Sequence, residues 1–199
     1  MQDERVGHAT LMSVMFGVAL GFWVATIRFV EPLPWQVAAT LGLTFLVIGC
    51  IWWWYVNLGS AFPSHSLMDY YFDFAIVGGL CLMSASAGTS PSAPLKWTLA
   101  WATVALASAL KAWLRTDPRA KPEYKKMLDW ARGATTVIFL VSGYAVSIAV
   151  NVEAYDEAPL RFWLATWVPV VAGILITFYV ARHLRPARAT PALQVQERT

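Results

Sequence analysis

Long apolar stretches are the feature that most limits how this chain can fold. A helix rises about 1.5 Å per residue, so it needs about 20 mostly apolar residues to cross the roughly 30 Å core of a bilayer. Six stretches fit this length, at residues 10–30, 35–56, 68–87, 95–114, 134–150 and 162–180. Of the 199 residues, 58% are hydrophobic and 14% are charged, which is too apolar for a soluble domain of this size. The sequence therefore predicts an all-α integral membrane protein with six transmembrane helices in one bundle.

The six stretches leave no room for a second folded domain. We expect a single transmembrane domain over residues 1–182. Residues 183–199 are rich in Pro, Ala and polar side chains without periodicity, so we expect them to form a disordered cytoplasmic tail.

The basic residues indicate how the helices are oriented. Lys and Arg in short loops stay on the cytoplasmic side. With both termini cytoplasmic, that side receives twelve of the fifteen basic residues: Arg5, Lys111, Arg115, Arg119, Lys121, Lys125, Lys126, Arg132, Arg182, Arg185, Arg188 and Arg198. The sequence thus predicts cytoplasmic N and C termini and a multi-pass protein of the plasma membrane or a bacterial inner membrane. Because this pattern explains the positive charge, we expect no nucleic-acid partner.

The link after the fourth stretch is basic and reads "RTDPRAKPEYKKMLDWARG". Its residues 122–132 fit either a short helix on the membrane surface or a solvated loop. In the first case Lys121, Lys125 and Lys126 are expected to contact anionic lipid head groups or a protein partner.

Tryptophans mark both ends of the second stretch. Trp35 opens it and Trp52, Trp53 and Trp54 close it, a separation of about one bilayer core. An aromatic belt at the two membrane interfaces explains this spacing. Successive helical residues point about 100° apart, so at least one of the three tryptophans should pack inward.

Two acidic residues lie early in the third stretch. Asp69 and Asp73 are four residues apart and share one helix face. Three interpretations of Asp73 remain open: an ion pair with Lys111 or Arg115, a proton or cation relay, or a side chain that extends to the head groups. In the first stretch, Gly17 and Gly21 form a Gly-x-x-x-Gly pair that favours close helix packing.

Enzyme motifs are absent from the sequence. No H-E-x-x-H, G-x-S-x-G, C-x-x-C or phosphate-binding loop occurs, so we predict no catalytic residue, metal or cofactor. An intramembrane enzyme that uses Asp69, Asp73 and His65 is a weaker alternative.

The segment "FLVIGCIWWWYVNLGSAF" resembles two membrane protein families. It is similar to the second helix of the transmembrane protein 175 potassium channels, where a Phe-Leu-Val-Ile-Gly-like run precedes a Trp. It also resembles the low-temperature-requirement A proteins, in which a Trp-Trp…Trp-Val-Asn-like segment precedes an acidic start to the next helix. In the first helix, Gly17 and Val18 match the channel family's Gly-Val, whereas Met15 and Phe16 stand where that family has Ser and Asp.

The resemblance implies a homo-oligomer of six-helix subunits whose first helix lines a pore. The residues it would present to the axis are Met15, Val18, Leu20, Val24 and Ile27. We therefore expect a transport protein, either an oligomeric cation channel or a small-solute permease. The alternative is a non-transporting membrane protein that binds lipid or a protein partner through its basic link.

Overall fold

Helices make up nearly all of the described chain. The computed structural model describes residues 2–29, 34–61, 67–87, 92–115, 122–151 and 159–183. These ranges hold six helices and no strand: α1 (Gln2–Phe29), α2 (Trp35–Ala61), α3 (Leu67–Ser86), α4 (Ala93–Leu114), α5 (Pro122–Asn151) and α6 (Pro159–His183). The all-helical fold predicted from the sequence is confirmed over these ranges.

The fifth helix differs most from the sequence prediction. The apolar pattern predicts a helix over 134–150, whereas α5 is one continuous helix of 30 residues that begins at Pro122. Proline is favoured at the first helical position, where its missing N–H costs no hydrogen bond. Met127 and Leu128 are buried in a cluster with Ala112 of α4, so the early turns of α5 have packing partners. The solvated loop is therefore wrong, and α5 extends roughly 45 Å, beyond the thickness of a bilayer core.

The other predicted boundaries lie within a few residues of the structure, except at α1 and at the end of α2. The first helix begins at Gln2 rather than near residue 10, and the second continues to Ala61 rather than ending near residue 56. The expected tail, apart from His183 in the last turn of α6, lies outside the described residues.

Successive helices run in opposite directions, and the contacts between them define two ends of the bundle. At one end, Tyr55 of α2 and Lys111 of α4 both contact Asp73 of α3. At the opposite end, the fully buried Trp97 donates a hydrogen bond to Thr44 Oγ1 at 2.9 Å. We call the first the charged end, because it also holds the basic residues at the adjoining helix ends: Arg115, Lys125, Lys126, Arg132 and Arg182.

The closest approach of two helices involves a glycine of α3. A Cβ built on Gly79 would lie 2.5 Å from Cγ2 of Val104 and 3.2 Å from the carbonyl oxygen of Ala100, both in α4. A side chain is thus excluded where these two helices cross. A Cβ built on Gly17 or Gly21 meets no atom within 4 Å, so the close crossing expected at that pair is not found within the described chain.

Two segments of the described chain are long and apolar enough to cross a membrane. By length and composition alone these are Trp35–Leu58 and Thr166–His183, and α1 contains a shorter apolar segment, Ser13–Ile27. Such segments favour association with a membrane. Charged residues lower the mean hydropathy of α3 and α4, which carry Asp69, Asp73, Lys96 and Lys111.

Candidate functional site

A buried ion pair joins α3 to α4 at the charged end. Lys111 Nζ donates to Asp73 Oδ1, and the hydroxyl of Tyr55 donates to the same oxygen. Asp73 is 0% exposed and Lys111 is 5% exposed. The Lys111 ammonium also lies 3.4 Å from the Tyr55 hydroxyl and 4.7 Å from the centroid of its ring. Of the interpretations of Asp73 that the sequence leaves open, the structure shows an ion pair, and the partner is Lys111 rather than Arg115.

A second ion pair lies one helical turn beyond the first, nearer the start of α3 and the end of α4. Arg115 Nε is 3.9 Å from Asp69 Oδ1, and both side chains are largely buried. The backbone of the same region is held by Arg132 of α5, whose Nη2 donates to the Arg115 carbonyl at 2.6 Å and whose Nε donates to the Ala112 carbonyl at 3.0 Å. Arg132 thus satisfies two carbonyls at the end of α4, which have no partner within the helix. We define the charge cluster as Tyr55, Asp69, Asp73, Lys111 and Arg115.

Three members of the charge cluster, Tyr55, Lys111 and Arg115, line one end of a partly open cavity of about 110 Å³ between the helices. One face of α4 lines the cavity with Trp101, Ala105, Ser108, Lys111 and Arg115. Apolar side chains of α2, α5 and α6 form most of the remaining wall. The polar groups along α4 are therefore concentrated near the charge cluster, while the deeper part of the wall is mainly apolar.

The sign of the charged side chains on the cavity wall determines which kind of molecule the cavity can bind. The described residues of the wall include two cationic side chains, Lys111 and Arg115, and no carboxylate. Asp69 and Asp73 pair with these cations without lining the cavity. A molecule in the cavity therefore meets cations and hydroxyl groups at one end, although the cluster as a whole is balanced in charge.

Two polar groups of the cavity wall have no hydrogen-bond partner among the described residues. They are the indole N–H of Trp101, a residue that is 5% exposed, and the hydroxyl of Ser108. Buried polar groups are nearly always paired with protein or with ordered water. Both residues line the cavity, so an acceptor bound there is one way to satisfy these donors.

The three consecutive tryptophans pack against different neighbours. Trp52 contacts Phe16 of α1 edge to face, with ring centroids 5.2 Å apart. Trp54 donates from Nε1 to Thr177 Oγ1 of α6 at 3.0 Å, and Trp53 packs edge to face on Trp54. The inward packing expected of at least one tryptophan is therefore confirmed.

The five residues of α1 named as pore candidates fall on two sides of the helix. Val18, Leu20 and Val24 lie exposed on the outer surface of the bundle. Met15 is buried against α3, and Ile27 packs partly buried against α2. The side chains of Met15 and Ile27 are therefore directed into the subunit rather than toward an axis outside it.

The basic residues named as lipid or partner contacts lie at the start of α5. Lys125 and Lys126 are exposed. Lys121 lies outside the described residues. No group of three or more His, Cys, Asp or Glu side chains positioned to hold a metal occurs in the described part of the chain.

The sequence prediction missed Tyr55, Ser108 and Trp101 as parts of this site. The sequence does indicate that one face of α4 is polar, because helical spacing places Ser108, Lys111 and Arg115 on the same face. Nothing in the sequence placed Tyr55 opposite Asp73, because that contact depends on how α2 and α3 pack.

Comparison of the chain with protein-family models, curated proteins and solved structures gives no match.

Proposed function

We propose that this chain is a six-span membrane protein that moves a small solute through the cavity inside its helix bundle. The single observation that carries this proposal is the charge cluster at the cavity wall, with its ion pair between Asp73 and Lys111. Ionisable residues within membrane helices are costly, face the bundle interior and mark solute, ion or proton pathways.

The outer surface of the helices supports the membrane assignment. Large apolar side chains are exposed on several helices, among them Tyr71 on α3, Leu140 on α5 and Leu175 on α6. Soluble proteins rarely expose such extensive apolar surface, whereas lipid tails cover it at no cost. The six helices contain 20 to 30 residues each, which is sufficient to cross a bilayer core.

The distribution of charge supports cytoplasmic termini. Most basic residues of α4, α5 and α6 gather at the charged end, with Lys96 and Arg161 at the opposite helix ends, and the start of α1 also lies at the charged end because successive helices alternate in direction. With the charged end in the cytoplasm, Lys125 and Lys126 lie where anionic head groups are found. The resemblance of the first three helices to the transmembrane protein 175 and low-temperature-requirement A families agrees with this arrangement and with a homo-oligomer.

A passage inside the subunit is favoured over one between subunits. Lys111, Arg115 and the hydroxyl of Ser108 lie at the cavity between the helices, whereas the outward face of α1 carries the apolar Val18, Leu20 and Val24. An apolar face of this kind suits contact with lipid or with a second subunit.

The test is solute flux into liposomes that contain the purified protein. Potassium, sodium, chloride and short monocarboxylates are supplied separately, and empty liposomes give the background. Ala105 lines the cavity and Leu106 faces outward, so Ala105→Phe fills the cavity while Leu106→Phe is its matched control. We expect flux of at least one solute that Ala105→Phe abolishes and Leu106→Phe preserves.

Two other outcomes would replace the proposal. Potassium flux that survives Ala105→Phe but changes with Val18→Trp would place the passage along α1 between subunits. Absence of flux for every solute, together with loss of binding to anionic vesicles on Lys125→Glu and Lys126→Glu, would favour a lipid-binding protein without transport.

A further inference from the structure

We infer that the cavity binds a small amphipathic monocarboxylate, with its carboxylate at Lys111 and Arg115 and its apolar body along α4. This inference deepens the proposed function, since it names the chemical class of the solute. It rests on the shape of the cavity, the sign of its charges and the polar groups left unsatisfied in its wall.

The cavity follows the length of α4. Its lining runs along one face of the helix from Trp101 to Arg115, a distance of roughly 21 Å at 1.5 Å per residue. A volume of about 110 Å³ is small for lining residues that extend over that length, which points to a narrow slot. For comparison, an apolar cavity of about 150 Å³ accommodates benzene. The slot therefore suits a slender molecule with few branches.

The charged part of the cavity selects for an anion. Lys111 and Arg115 line it, and no carboxylate does so among the described residues. The hydroxyl of Ser108, one turn before Lys111, is buried without an acceptor in the described chain. Ammonium, guanidinium and hydroxyl groups all donate hydrogen bonds, so a carboxylate at this place accepts from three neighbouring side chains.

The wall beyond Ser108 selects for an apolar body. Ala105 and Trp101 continue the α4 face, and they meet Ile138 of α5 and Ile174 of α6 across the slot. An alkyl chain is favoured here because it leaves water for an apolar surface. Residue Trp101 lies about 15 Å from Lys111 along the helix axis. A water molecule beyond the end of a short chain can serve as the acceptor for its indole N–H.

Binding of hexanoate to the purified full chain tests this inference. Equilibrium dialysis of labelled hexanoate is compared with hexan-1-ol and hexylammonium, which keep the alkyl chain but carry no charge or a positive charge. Hexanoate should bind about tenfold or more tightly than either, since hydrogen bonds from charged donors are the stronger ones. Ala105→Phe should abolish hexanoate binding, and Leu106→Phe should leave it unchanged, which also corrects for ligand dissolved in detergent.

Arg115→Gln provides a second variant that removes one cation at the less buried ion pair. This substitution should weaken hexanoate binding by about tenfold and leave hexan-1-ol binding unchanged. Monodisperse elution from a size-exclusion column and an unchanged unfolding temperature show that the variant is folded. Equal binding of hexanoate and hexylammonium, or hexanoate binding that survives Ala105→Phe, would overturn the inference.

The failure of this inference is distinguishable from failure of the proposed function. Hexanoate binding without flux in liposomes keeps the binding site and refutes transport. Flux of an inorganic ion that Ala105→Phe blocks, without hexanoate binding, keeps transport and refutes the monocarboxylate.

Discussion

The ion pair between Asp73 and Lys111 is expected to respond very differently to single and double substitution. Asp73→Asn keeps the shape of the side chain and an acceptor for Tyr55 but leaves the Lys111 ammonium buried without a counter-charge. Removing one partner of a buried ion pair costs about 3–5 kcal/mol. For a chain of 150–250 residues, 1 kcal/mol corresponds to about 2–4 °C in the unfolding temperature. We therefore expect Asp73→Asn to lower the unfolding temperature by about 6–20 °C.

The double variant separates the ion pair from other effects of the substitutions. Lys111→Met retains an unbranched chain of similar size, and on its own it leaves the Asp73 carboxylate without its cation. The double variant, Asp73→Asn with Lys111→Met, contains neither charge. Its loss in free energy of unfolding should therefore be smaller than the sum of the two single losses by about 3 kcal/mol. Thermal unfolding in detergent, followed by size-exclusion chromatography, measures all three variants.

An exposed ion pair of the same chain serves as control. Asp129 pairs with Arg132 at 3.2 Å, but its side chain is 70% exposed. Such surface pairs contribute about 0–1 kcal/mol, so Asp129→Asn should lower the unfolding temperature by no more than about 4 °C. An effect of Asp73→Asn as small as that of Asp129→Asn, or strict additivity in the double variant, would refute the burial and coupling described here.

Three further predictions concern packing, and each is measured as a change in unfolding temperature in detergent. Gly79→Ala should destabilise the protein by about 1–3 kcal/mol because the added Cβ meets α4. Gly78→Ala should stabilise it by up to about 1 kcal/mol, since the Cβ added there meets nothing within 4 Å. Equal effects of the two substitutions would contradict the close crossing of α3 and α4. Trp97→Phe should cost about 1–3 kcal/mol because it removes a buried hydrogen bond and volume, and a neutral result would exclude that bond. Arg132→Met should cost about 1–3 kcal/mol because two carbonyls at the end of α4 lose their hydrogen-bond donor. An unchanged unfolding temperature would show that these carbonyls find other donors.

The sequence predicted the number of helices and offered Lys111 or Arg115 as ion-pair partners of Asp73, because both inferences depend on spacing along the chain. Apolar stretches of near-bilayer length located the helices, whereas the packing of α3 against α4 decided between Lys111 and Arg115. A helix over residues 122–132 was one of two alternatives, but its continuity with the apolar stretch was not expected because these turns carry several charged residues, and burial of Met127 and Leu128 against α4 accounts for it.

The candidate site was less predictable than the fold. The cavity depends on side chains from all of α2 to α6, so no single stretch of sequence indicates it. Close helix packing was expected at Gly17 and Gly21, whereas within the described chain it occurs at Gly79. A small residue permits another helix to come close, but whether one does depends on the position of the neighbouring helix.

The accessibility of the cavity to an anion tests the central claim most directly. The measurement uses Ser108→Cys in a variant whose two native cysteines, Cys50 and Cys81, are replaced by alanine, reconstituted into liposomes. A membrane-impermeant anionic methanethiosulfonate should modify this position, faster than a cationic analogue does, and hexanoate should slow the reaction. Leu110→Cys, on the outward face of α4, should not react. Modification at position 108 no faster than at position 110, or unaffected by hexanoate, would contradict an internal binding site for an anionic solute.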